Sequence, residues 1–403
     1  MTGNQKFEIR ALTAAEEVNA GFQVFLRAMV GLPFREVDAT EITEPGRYLG
    51  ALDGTEVVGG ADSYGSWLVV PGGARVPHAA VTHVGVLPTH RRRGIVSALV
   101  ARQLRDFAQR GEVVASLRAS EAVIYERFGY GVASSAQAVR VNLRRALLRP
   151  EVPAGGTVRL VDSAVTTALL AGIYEQAQWT GAIGRPAGWW RLREKLRDSD
   201  PAAQYVVVHS SGGVDDGYAI YRPADTTGWF TSREKTVTVT DFVALTDSAR
   251  AGLWRHLLSL DLLDVVSFDS LALDDPLPLA VVDRRAVELG SAHDETWLRL
   301  VDVEAALRAR TWGDGDPVVL RVHDALLPAN NGTFEVGPKS VVRTEAAPEL
   351  SVDVTTLAAA YLGGTRWRHL AAAGRVGVHD PDALRRADGL FAVASLPFSG
   401  TLF

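Results

Sequence analysis

No cysteine occurs in the 403 residues. Disulfide frameworks, thiolate nucleophiles and Cys-ligated zinc or iron–sulfur centres are excluded with it, and no metal is expected. An excess of positive charge is also missing: 42 Lys and Arg stand against 47 Asp and Glu, for a net charge of -5. A nucleic-acid binder carries a basic domain or stripe, so no nucleic-acid partner is expected. No apolar run reaches the roughly 18 residues that span a bilayer, which leaves no membrane partner in view. The opening Met1-Thr2-Gly3-Asn4-Gln5-Lys6 lacks the apolar segment of a secretory signal, and the chain reads as cytoplasmic.

What remains is an ordinary globular composition, 47% apolar and 22% charged, in a chain too long for one core. Strand and helix signals alternate in the first part. Phe7-Glu8-Ile9-Arg10 alternates with period two, and Thr13-Ala14-Ala15-Glu16 has the form of a capping box. Val18, Phe22, Phe25 and Met29 then make one apolar helical stripe. A hairpin is expected over Arg47–Val58, turning at Asp53-Gly54, with separate strands around Ser66–Val70 and His78–Val86. A helix from Gly94 to about Gln109, a strand Val113–Leu117, a short helix Ala122–Phe128 and a strand Val132–Leu143 complete the unit.

The same order recurs weakly from Thr157, with Ser211-Gly212-Gly213 as a hairpin turn, Val237–Val243 as a central strand and a helix from Ala249 to Leu260. The last part changes character: a helix Val303–Arg310, strands Val318–Val322 and Thr333–Val336, and an Ala-rich helix Thr355–Leu362. The linkers are expected at Pro150–Gly156 and near Gly290, which divides the chain into residues 1–148, 149–290 and 291–403.

The stretch that carries chemistry is Val84-Gly85-Val86-Leu87-Pro88-Thr89-His90-Arg91-Arg92-Arg93-Gly94-Ile95-Val96-Ser97. A strand ends at Pro88, a basic loop follows, and an amphipathic helix begins near Gly94. Free amides at a helix start form an anion site, glycine allows close approach, and arginines add planar donors suited to phosphate. A solvated basic turn has the same composition; the strand–loop–helix setting favours a ligand site.

Here the sequence resembles the GCN5-related N-acetyltransferase superfamily, whose cofactor signature is Arg/Gln-x-x-Gly-x-Gly/Ala. Arg91-x-x-Gly94 fits it, while Val96 holds the last small position. Pro88-Thr89-His90-Arg91-Arg92-Arg93-Gly94, Ala119-Ser120-Glu121 and Ile124-Tyr125-x-Arg127-Phe128-Gly129-Tyr130-Gly131 together are similar to the Eis (enhanced intracellular survival) family of multi-acetylating aminoglycoside N-acetyltransferases. The resemblance implies an α+β protein. Two tandem acetyltransferase folds, each a mixed sheet flanked by helices and the second degenerate, precede a sterol-carrier-like α+β domain.

It also implies acetyl-CoA as co-substrate, a small-molecule amine as acceptor, and a homo-oligomer, hexameric in the family. The cofactor contacts fall on Val84, Gly85, Val86, Arg91, Arg92, Arg93, Gly94, Ile95, Val96, Ser97, Ser120 and Glu121. Tyr125 matches the family's general acid, and an ordinary tyrosine stays protonated at neutral pH. The terminal carboxylate, on Phe403, matches its base or orienting group. The apolar ending Leu396-Pro397-Phe398-Ser399-Gly400-Thr401-Leu402-Phe403 argues that the tail packs into the body.

His83, Phe25 and Leu402 are candidate lining residues of the amine pocket. Aminoglycoside-active relatives carry an acidic residue next to the terminal Phe, where this chain has Leu402. The region Phe25–Phe34 is apolar and basic, with Glu36 and Asp38 beyond it. A polycation requires compensating carboxylates, so a less charged amine is the alternative acceptor. A non-catalytic acyl-CoA sensor and a lipid carrier are the competing readings. Tyr125 and Phe403 favour the enzyme, because a sensor requires neither. Asp247-Ser248-Ala249-Arg250 in the second unit lacks the basic loop, which limits the expectation to one cofactor per chain.

Overall fold

Every second residue of Thr236–Ala244 is buried, the mark of a strand with one face on a core. The same logic, alternating with amphipathic helices, builds the rest. The computed structural model describes residues 7–30, 32, 37–153, 155–200, 202–226, 228, 230–231 and 234–403. The first unit contains β1 (Glu8–Ala11), α1 (Ala15–Ala28), β2 (Leu49–Asp53), β3 (Glu56–Val69), β4 (Arg75–Val86), α2 (Ile95–Gln109), β5 (Val114–Leu117) and β6 (Gly131–Asn142).

The second repeats that order with an extra helix: β7 (Thr157–Leu160), α3 (Ser163–Tyr174), α4 (Ala187–Asp198), β8 (Tyr205–Ser211), β9 (Val214–Pro223) and β10 (Thr236–Ala244). It continues with α5 (Asp247–Leu258), β11 (Val265–Ala272), the single turn α6 (Leu277–Ala280) and β12 (Val287–Leu300). The third has α7 (Val303–Ala309), β13 (Val318–His323), β14 (Gly332–Val336), β15 (Val341–Arg343) and β16 (Leu350–Asp353). After these come α8 (Val354–Tyr361), α9 (Trp367–Ala372), β17 (Gly377–Val378) and α10 (Pro381–Leu390).

The first two units share one twelve-stranded sheet, in the order β1-β2-β3-β4-β5-β12-β6-β11-β10-β9-β8-β7. The pairs β4–β5 and β10–β11 are parallel, one in each unit. β12 lies between β5 and β6 and is antiparallel to both. A separate five-stranded sheet, β15-β14-β13-β16-β17, belongs to the third unit. Between the two sheets lies α8, in which every residue is buried; a helix apolar on all sides belongs in a core. It touches β6 and β12 as well as β16, which seats the third unit against the shared sheet. Arg299 of β12 and Asp324 add a fully buried ion pair at 2.6 Å across this junction.

Four local expectations change. The linker placed near Gly290 falls inside β12, where the register with β6 shifts between Leu289 and Ala292; glycine there marks a bulge in a strand. The expected strand Ser66–Val70 is, up to Val69, the continuation of one fourteen-residue strand, β3, whose glycines let it run beneath neighbouring side chains. The capping box does not form: Ala14 is the residue before α1 and no side chain caps it. Ala122–Phe128 is two 3-10 turns, Ala122–Ile124 and Glu126–Phe128, with Tyr125 between them.

His78 of β4 is 0% exposed, with Nε2 2.7 Å from Ser116 Oγ and a buried, unpartnered Nδ1. Burial, with Arg47 adding to it, lowers its pKa from 6.5 to about 3. The folded chain keeps this imidazole neutral while the unfolded chain protonates it first. Its contribution to stability is therefore complete above about pH 6.5 and is lost as pH falls toward 3. Urea midpoints measured over that range should fall less steeply for His78→Gln than for the wild-type chain; parallel curves would remove His78 from the acid response.

Candidate active site

The tail reaches the first unit because two buried charged groups hold its backbone. Glu295 of β12 is 0% exposed and accepts from Ser399 N and Gly400 N, both at 2.9 Å. It also accepts from Ser134 Oγ at 2.7 Å and Arg118 Nη2 at 3.1 Å. The same Arg118 nitrogen donates to Thr401 O at 2.8 Å. Arg185 makes the second hold. It donates to Gly400 O at 3.0 Å and Thr401 Oγ1 at 3.1 Å while gripping Asp241 with both of its terminal nitrogens. Trp189 Nε1 closes the series on Leu402 O at 2.8 Å.

The tail does pack into the body: Pro397 is buried and Phe403 packs against the core, and polar residues are buried with them. Ser399 and Thr401 are fully buried, whereas Leu396 and Leu402 are 37% and 61% exposed. Hydrogen bonds hold it. Glu295, Arg118, Arg185 and Trp189 carry no local signature in the sequence, because the partners that define them lie more than a hundred residues away. Gly-Trp-Trp at 188–190 was the one visible cue, an aromatic pair opening a helix.

This anchoring aims Phe403 into a cavity of about 440 Å³ whose lining includes Phe25, His83, Val84, Ser120, Tyr125, Leu402 and Phe403. Seven residues singled out in the sequence therefore meet in one space. Tyr64 packs edge-on against the Phe403 ring at 5.8 Å. Tyr125 is 6% exposed, and burial, with Glu121 second, pushes its phenol up to about 12. It is a protonated donor at any physiological pH. Ile42, Trp189, Leu192 and Leu196 supply more apolar wall, and Arg118 and Arg193 supply positive charge. Among the described lining residues no side chain is a carboxylate. Gly31 and Pro33–Glu36 lie outside the described residues; Asp38 caps the turn Ala39–Glu41 through Thr40 N.

The cofactor candidates form the next stretch. β4 pairs with β5 only from His78 to Val81, then continues to Val86 bonded on its β3 side. The other edge of Val84–Val86 faces the gap between the diverging strands, a site for an extended chain with amide groups. Val86 and Ile95 turn their side chains into the core, leaving their backbone for a ligand. Gly85 serves packing as well: a Cβ there would stand 2.8 Å from Phe25 Cα.

Arg91, Arg92, Arg93 and Gly94 are exposed at the start of α2. Gly94 has φ +81 with open space where a Cβ would stand, and Arg92 is also left-handed at +63. No side chain caps α2, and its first amide bond runs from Ala98 to Gly94, leaving Ile95, Val96 and Ser97 amides for an anion. A pyrophosphate fits this start. The equivalent α5 differs: Thr246 caps it through Ala249 N at 3.0 Å, and Asp247 adds negative charge. Ser120 and Glu121 are exposed just before the turn that carries Tyr125.

The comparisons agree with this architecture. Acetyltransferase (GNAT) domain models match residues 8–133 and 181–300, and a sterol carrier protein domain matches 303–399. The fold and the site thus define an N-acetyltransferase with tandem GNAT domains and a sterol-carrier-like third domain, a class that uses acetyl-CoA. An uncharacterised N-acetyltransferase of Streptomyces avermitilis is 37% identical over 402 residues, covering 95% of this chain and 96% of that one. The N-acetyltransferase Eis of Mycobacterium tuberculosis is 36% identical over 358 residues, 85% of each chain. The crystal structure of Eis1 from Mycobacterium abscessus aligns with 54% identity and a TM-score of 0.93 over 98% of this chain and all of that one. The chain belongs to the Eis family of N-acetyltransferases.

Removing the Glu295 carboxylate takes the acceptor from the Ser399 and Gly400 amides and the Ser134 hydroxyl, while Arg118 keeps Thr401 O. Glu295→Ala should lower stability by about 3–5 kcal/mol, as expected for breaking a buried charged pair. It should also expose the last residues to carboxypeptidase. Denaturant unfolding and mass analysis of the digest check both; a loss under about 1 kcal/mol with an intact tail would mean that Arg185 alone suffices.

Proposed function

We propose that this chain acetylates a primary amine of a small molecule held in the cavity beside Tyr125. The observation that carries this reading is the meeting of Tyr125, the open edge at Val84 and the Phe403 terminus around one space of about 440 Å³. Acetyl-CoA supplies the acyl group as a thioester. The α2 start and its three arginines bind the pyrophosphate, and the free edge of Val84–Val86 holds the arm that leads to the thioester. Backbone amides on that edge also face the developing oxyanion. Tyr125 donates a proton to the departing thiolate, a role its buried, protonated phenol suits. The terminal carboxylate pairs with the acceptor's ammonium and fixes its approach.

The wall around that ammonium favours a particular acceptor. Phe25, Ile42, Trp189, Leu192 and Leu402 are apolar, and the charged side chains beside them are the cations Arg118 and Arg193. A polycation would meet repulsion there. The reading favoured over an aminoglycoside or a polyamine is a singly charged primary amine on an apolar or aromatic body. α5 is side-chain-capped and acidic, which supports one acetyl-CoA site per chain.

The test follows CoA release across amines with one, two and several charges. Tyr125→Phe should lower kcat by ~10²–10³-fold with the KM for acetyl-CoA little changed, the cost of losing a general acid. One residue added after Phe403 should lower kcat similarly by displacing the carboxylate. No CoA release with any amine would sink the enzyme reading, and a preference rising with substrate charge would sink the acceptor assignment.

A further inference from the structure

The strand that borders the cavity carries an irregularity at one residue. Opposite Ala61 of β3, β4 places two residues, His83 and Val84, so the ladder bulges between Asp62↔Thr82 and Gly60↔Gly85. His83 has φ +49, a left-handed conformation that strains a non-glycine residue and persists where the surroundings impose it. The imposing group is Asp62, 2% exposed, whose Oδ2 lies 3.1 Å from His83 Nδ1. Asp62 is itself fixed: its Oδ1 accepts from Ser63 N at 2.8 Å, and its carbonyl accepts from Gln103 Nε2 at 3.1 Å. Phe22 and Phe25 close edge-on over the imidazole at 5.0 and 5.1 Å. With Nδ1 committed to Asp62, Nε2 is the nitrogen left for the cavity that His83 lines. A strained backbone, a buried carboxylate and a ring locked against rotation orient one imidazole edge toward the reacting space.

Building on the acetyl-transfer reading above, we infer that the His83–Asp62 pair is the proton acceptor of the reaction, with the terminal carboxylate left to position the ammonium. Nε2 of neutral His83 takes one proton from the acceptor's R–NH₃⁺, while Asp62 holds the Nδ1 proton and stabilises the imidazolium that forms. The freed nitrogen lone pair forms the C–N bond to the thioester carbonyl carbon, and the C–S bond breaks. The thiolate takes the Tyr125 proton, and the second proton of the amide-forming nitrogen restores the phenol. The imidazolium then releases its proton to water. The sum is ammonium plus thioester giving amide, thiol and one proton.

The charged and titratable groups around His83 are Asp62 from β3 and Tyr48 ahead of β2, which stacks on the ring at 6.5 Å. Burial, then Asp62, raises the Tyr48 phenol well above its ordinary value, which keeps it neutral. Across the cavity stand Tyr64, Arg118, Tyr125, Arg193 and the Phe403 carboxylate.

The test uses the full chain with its best amine and acetyl-CoA, after CoA release has shown that the wild type is active. Lack of that release refutes the acetyl-transfer reading and the dyad's role with it, whereas the variants below bear on the dyad alone. His83→Gly suits the left-handed backbone and opens room for a free azole. It should lower kcat ~100-fold, abolish the acid limb of the pH profile, and regain activity with added imidazole in proportion to imidazole's free-base form. Its acetyl-CoA affinity should match wild type. Asp62→Asn should shift or erase the same limb. Wild-type kcat with the limb intact, or a loss that imidazole does not restore in a variant still binding acetyl-CoA, would overturn the assignment. If the glycine variant does not fold, Asp62→Asn decides: a wild-type pH profile there overturns the assignment, and a displaced one supports it.

Discussion

The Glu295 carboxylate is the interaction on which the site depends. It is buried in the middle of the shared sheet, on a strand of the second unit that lies between two strands of the first. Its acceptors serve β6 through Ser134, the end of β5 through Arg118, and the tail through two backbone amides. A carboxylate so enclosed is tolerated because every oxygen has a partner. One side chain therefore sets the relative positions of three segments that are far apart in sequence, and the cavity is the space they leave.

The chemistry that this space supports divides between its two ends. At the exposed end, uncapped amides and three arginines at the start of α2 offer an anion site without enclosing it. At the inner end, apolar walls surround Tyr125 and His83, which lowers the local dielectric and strengthens each hydrogen bond made there. Binding energy gathered along the long open edge can then be spent on orientation in the small closed one. The second unit shows the contrast, since its equivalent helix start is satisfied by its own threonine.

Local patterns made much of this legible. The hairpin at Asp53-Gly54, the amphipathic α1 and the basic loop are all short-range features, and each is found where its residues place it. What stayed hidden is long-range. Neither Glu295 nor Arg185 has neighbours in sequence that announce a role; their partners lie 104 and 215 residues away. Asp62 and His83, 21 residues apart, are paired only by the register of β3 on β4, and a bulge cannot be read from one strand alone. The linker expected near Gly290 failed for the same reason: a glycine in a bulged strand and a glycine in a loop look alike until the partner strand is known.

The placement of β12 also has a consequence for how the molecule comes into being. The sheet of the first unit has a vacancy between β5 and β6 until residues 287–300 arrive to fill it. On a ribosome making the chain from its beginning, the first unit waits until about its own length again has been made before its sheet can close. Such distant pairing is intrinsically slow, and the unfilled edges are exposed meanwhile. The first 148 residues are thus an incomplete object. The three units divide the labour of the molecule, but they cannot be divided as pieces of polypeptide.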